Sequence, residues 1–73
     1  MLTPEDRAEL EQIRAARERE REISRWETRV ARRAVDRGAL YREIGEVLGV
    51  SEPMVHKILN RRFRDNEDED SVP

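Results

Sequence analysis

Two glycines four residues apart, Gly45 and Gly49, constrain this chain more than any other feature. They stand in "IGEVLGVSEPMVHKIL", residues 44–59, where two short apolar patterns of helical spacing meet. Gly49 is expected to take a positive φ that a side chain would resist, ending one helix in a tight turn. Ser51 then caps the next helix, with Pro53 tolerated in its first turn. Gly45 falls inside the first helix, where glycine costs roughly 1 kcal/mol relative to alanine. That cost is explained if the second helix crosses closely at this point. Ile44, Leu48, Val50, Val55 and Ile58 would then close the core between the two.

Upstream, no glycine or proline intervenes between Pro4 and Gly38. Thr3 as cap, Pro4 at the first helical position and Glu5 and Asp6 in the first turn make a strong helix start. One helix of about 34 residues, near 50 Å at ~1.5 Å per residue, is a possible outcome. Its apolar content is uneven. Leu10 and Ile13 form a small pair, and "RERERE" at 17–22 has no apolar residue. From Ile23 a stripe of Ile23, Trp26, Val30 and Ala34 marks a domain helix over 23–37. The reading divides the chain into a charged helical extension (1–22), continuous or not with the next helix, a helical domain (23–64) and a disordered acidic tail (65–73). Pairing through the extension would use the thin Leu10/Ile13 seam, and its deletion would leave 23–64 folded.

Seventy-three residues, 44% of them charged, cannot bury a large core, which argues against an enzyme with a deep pocket. There is no cysteine, and the single histidine, His56, does not build a metal site, so no cofactor is expected. No apolar run approaches the roughly 20 residues of a membrane span. With no signal-peptide pattern, a cytoplasmic protein is expected. The net charge of −2 hides an asymmetry. Residues 1–22 carry −2, residues 23–64 carry +5 and residues 65–73 carry −5. A cationic segment between anionic flanks points to a polyanionic partner, nucleic acid being the commonest.

The 41–60 segment resembles the helix-turn-helix of DNA-binding regulators. With the preceding helix, the resemblance covers a three-helix unit at 23–64. The layout is also similar to small single-domain regulators of actinobacterial type, and the motif to the DNA-reading helices of sigma factor region four. The resemblance implies an all-α fold whose last helix, about 52–62, enters the major groove of double-stranded DNA. By position, Ser51, Glu52, Pro53, His56, Lys57 and Asn60 would face the bases. Tyr41, Arg42, Arg61, Arg62 and Arg64 would meet phosphates. Two of these depart from the usual pattern: Glu52 sets a negative charge near the phosphates, and Pro53 stands where polar readers are common.

The function so implied is that of a small transcriptional regulator without catalytic activity, located at the nucleoid when bound to DNA. A homodimer on paired half-sites is expected, since one copy offers few base contacts. Two other classes fit: an adaptor of RNA polymerase or a sigma factor, and an antitoxin or plasmid and phage control protein. Trp26 is expected in the core rather than as a stacking platform. Tyr41 serves packing or a phosphate equally well, and Phe63 would cover the base of the domain or a dimer seam.

Overall fold

The computed structural model describes residues 1–19 and 22–62. The acidic tail, Phe63 and Arg64 lie outside these residues. Four helices follow in order: α1 (Pro4–Arg17), α2 (Ser24–Asp36), α3 (Tyr41–Leu48) and α4 (Glu52–Leu59). No strand occurs among the described residues, so the chain is all-α as expected.

Of the two outcomes left open for the N-terminal segment, one long helix or two, the structure has two: α1 ends at Arg17 and α2 begins at Ser24. The departure from expectation is that α1 is not an appendage. Leu10 and Ile13 are 0% exposed, and with Leu2 and Ala16 they join Ile23, Val30, Ala34, Ile44, Leu48, Val55 and Ile58 in one core. The physical reason is burial. The charged run after Ala16 has nothing to bury, whereas Leu10, Ile13 and the α2 stripe each have an apolar face. Reversing the chain lets these faces cover one another, and this outweighs helix propensity through 17–22. Cross-links define an antiparallel pair. Arg33 and Arg37 near the end of α2 meet Glu5, Asp6 and Glu9 at the start of α1, while Arg17 at the end of α1 meets Glu27 early in α2.

Helix ends follow local chemistry. Thr3 accepts a hydrogen bond from the Asp6 amide at 3.1 Å, and Ser51 accepts one from the Met54 amide at 3.4 Å. At the start of α3, where Leu40 has no capping side chain, Glu43 substitutes. Its Oε1 accepts from the backbone amides of Leu40 (2.8 Å) and Leu2 (3.1 Å). Those bonds, the Leu40 one first, hold the Glu43 carboxyl below the ordinary carboxylate range.

α1 and α4 both pack on α2 and α3 but do not approach each other. α1 therefore covers one side of the α2–α3 pair and α4 the other.

Leu10→Ala or Ile13→Ala should each lower stability by about 2–5 kcal/mol, as measured by denaturant unfolding. A chain lacking residues 1–22 should lose cooperative unfolding, because the cavity left by α1 exposes the backs of α2 and α3. This reverses the outcome expected from the sequence, and a cooperatively folded fragment would restore the original boundary.

Candidate functional site

The α3–α4 corner is built by its two glycines. Gly49 has φ +78°, and its amide and that of Val50 both donate to the Gly45 carbonyl, at 2.8 and 2.9 Å. A Cβ on Gly49 would also stand 3.0 Å from the Arg14 guanidinium carbon, a flexible side-chain end that can move aside, so the positive φ is the main demand for glycine here. A Cβ on Gly45 would meet the Val50 carbonyl oxygen at 2.7 Å and a Val55 methyl at 3.3 Å. The close approach inferred from the sequence is thus present, made by the returning Val50 backbone as well as by α4. One ring contact and one hydrogen bond complete the seating. Tyr41 at the start of α3 meets the His56 ring edge-on, centroids 4.4 Å apart. The Thr28 hydroxyl, buried in α2, donates to the Ile58 carbonyl at 3.0 Å.

α4 buries Val55 and Ile58, with Leu59 half-buried. Its outward face carries Glu52, Pro53, Met54, His56, Lys57 and Asn60, with Ser51 exposed just before it. All six residues expected to face a ligand are therefore brought together on one exposed surface. Met54, 37% exposed, belongs to it too and was missed, because as an apolar residue it reads as core in a sequence pattern. Arg42, Lys57 and Arg62 are exposed cations and form no side-chain hydrogen bond or ion pair among the described residues.

Several expected residues are placed differently. α4 ends at Leu59, so Arg61 and Arg62 follow the helix instead of extending it to 62. The stop is made from α2. Arg32 donates to the Leu59 carbonyl through Nε (3.2 Å) and Nη2 (3.1 Å), and to the Arg61 carbonyl at 2.8 Å, satisfying groups that further helical turns would have used. Arg61 is not a free cation. Its Nη1 donates to Glu27 at 3.0 Å and to the Ser24 carbonyl at 3.3 Å, while Arg17 pairs with the other Glu27 oxygen. Glu27 is 2% exposed, a buried carboxylate held between two guanidinium groups. Asn60 caps α4 and donates from its side chain to the His56 carbonyl at 2.9 Å, which occupies part of its amide.

Trp26 sits half-buried against the core, as expected, and its indole N–H donates to Glu9 at 2.9 Å. That bond, then Arg33, lowers the Glu9 carboxyl from its ordinary value. The role of Glu27 had one sequence signal: an acid four residues after Ile23, on the buried stripe. The contacts of Arg32 and Thr28 had none, since they join residues about thirty positions apart.

Beside α4, Arg32, Val35, Asp36, Tyr41, Leu59 and Asn60 line a shallow groove of about 290 Å³. No group of acids and histidine suited to a metal ion occurs among the described residues. No described helix is long and apolar enough to cross a membrane. Comparison with protein-family models, curated proteins and solved structures gives no match.

Two outcomes test this construction. Gly45→Ala should destabilise the fold despite roughly 1 kcal/mol of gained helix propensity, because the obstacle is backbone. Gly49→Val should cost about 1–3 kcal/mol or more through its positive φ. Thermal melts of both variants decide, and a neutral Gly45→Ala would deny the close approach. Separately, Arg61→Ala should lower stability by about 1–3 kcal/mol, since Glu27 loses a partner in a buried site. Arg62→Ala should stay within about ±0.5 kcal/mol. Equal effects in denaturant unfolding would mean that the Arg61–Glu27 pair contributes nothing.

Proposed function

We propose that the α3–turn–α4 unit is a helix-turn-helix and that the protein binds double-stranded DNA as a small transcriptional regulator, with α4 in the major groove. The observation that carries this reading is the exposed face of α4. It is short, turned outward by a glycine corner, free of α1 on the opposite side, and bordered by the unpaired cations Arg42, Lys57 and Arg62. A helix held so, with polar groups outward, matches the dimensions of a major groove.

In this reading His56, Lys57 and Asn60 meet base edges or phosphates from the centre of the face, and Arg42 and Arg62 supply phosphate attraction. Arg61 acts indirectly, by fixing the segment that carries Arg62. Tyr41 orients His56 through their ring contact. Two copies on paired half-sites remain the proposed binding form. Their contact uses a surface other than Leu10 and Ile13, which are spent in the core.

A second reading, a helical adaptor for RNA polymerase or a sigma factor, is favoured by one observation. Arg33, Arg37 and Arg61 pair with the chain's own acids, and Arg32 is committed to backbone carbonyls. The surface is therefore less cationic than the segment charge suggests.

A salt titration of affinity on selected and random duplexes separates the two. Lys57→Ala and Arg62→Ala should weaken both duplexes alike and flatten the salt dependence by up to about one unit each. His56→Ala should reduce discrimination between the duplexes while leaving the fold intact. If the intact protein binds neither duplex at low salt, the DNA-binding reading falls and the adaptor reading takes its place.

A further inference from the structure

The first turn of α4 differs chemically from the rest of its exposed face. Lys57 and Arg62 lie towards its end, whereas Glu52, Pro53 and Met54 present one carboxylate and two apolar groups, with no cation. Pro53 lies at the centre of the face, with Lys57 one turn and Asn60 two turns further on, at i+4 and i+7. Met54 flanks it on the side of Ile58. Glu52 and Pro53 suit the start of a helix, as an acid and a proline in its first turn, whereas the exposure of Met54 is not explained by the fold. Pro53 is exposed, Met54 is 37% exposed although Val55 beside it is fully buried, and the Glu52 carboxylate has no partner among the described residues. The turn offers a phosphate no cationic side chain, and the Glu52 carboxylate opposes the pull of the helix N-terminus on an anion.

Base edges in a major groove offer what this turn could accept. Thymine exposes a 5-methyl group that takes apolar contacts, and cytosine exposes an N4 amino group that donates to a carboxylate. We infer that the first turn of α4 reads pyrimidine edges: Pro53 and Met54 pack on a thymine methyl group, and Glu52 accepts from a cytosine amino group at a neighbouring position. This deepens the DNA-binding reading and rests on it. The charge distribution supplies the complement. The cations Arg42, Lys57 and Arg62 draw in the backbone, and the uncharged and anionic first turn is left for base edges, where no phosphate must be met.

Replacing thymine by uracil removes the methyl group and nothing else. A duplex selected from a random pool by the full chain is therefore remade with uracil at each thymine in turn, and affinities are measured at fixed salt. At one or two positions uracil should weaken binding about fourfold, the worth of one buried methyl group. Met54→Ala and Pro53→Ala, both exposed sites away from the core, should abolish that preference and lower affinity for the selected duplex more than for a random one. Glu52→Gln should relax the preference for cytosine at the adjoining position and strengthen random binding. Uracil equal to thymine at every position, or a thymine preference that survives both apolar variants, would overturn the inference and leave DNA binding standing. Failure of the intact chain to hold any duplex at low salt would remove both readings together.

Discussion

The structure depends on one buried carboxylate. Glu27 is almost fully buried, where an uncompensated charge would cost several kcal/mol. It is tolerated because Arg17 arrives from the end of α1 and Arg61 from the segment after α4. These two partners belong to parts of the chain 44 positions apart by number, and both must be in place together. The pairing fixes where α1 lies against α2 and where the chain leaves α4. A hydrophobic residue at position 27 would demand neither, so the carboxylate adds a positional requirement that apolar packing alone would leave looser.

The same economy of charge runs along the α1–α2 pair. Arg33 joins Asp6 and Glu9, Arg37 joins Glu5 and Asp6, and Trp26 adds its indole N–H to Glu9. The Arg37–Glu5 pair lies open to water and is weak, within about 1 kcal/mol, whereas Asp6 is fully buried and its pairs with Arg33 and Arg37 compensate a second buried carboxylate. All of these pairs also bear on surface potential. Cations counted in the 23–64 segment are matched by acids from 1–22, so the two segments cannot be assigned separate electrostatic roles. What stays unpaired around α4, namely Arg42, Lys57 and Arg62, is the part relevant to a polyanion.

The α3–α4 corner is the most rigidly specified element. Its turn needs a residue at positive φ, and its crossing needs a residue without a side chain. Arg14 covers the turn from α1, which links the corner to the helix that seemed peripheral. From the far side, Thr28 and Arg32 on α2 hold the carbonyls at the end of α4. α4 is thus fixed at both ends by different helices. Its outward side chains inherit that fixity, which is a condition for reading any partner by shape or by hydrogen bonds.

The sequence by itself determined the all-α class, the glycine corner, the caps at Thr3 and Ser51 and the outward set on α4. Each of these is local: it depends on side-chain spacing within one or two turns, or on a backbone conformation open mainly to glycine. Only the tertiary structure decided that α1 belongs to the core, that α4 stops at Leu59, and that Arg61 serves Glu27 while Arg62 stays free. Helix propensity through residues 17–22 is continuous, and a row of arginines looks uniform along a chain. The break and the division of labour arise when distant apolar faces are buried together, because that burial sets which charges meet and which remain in water.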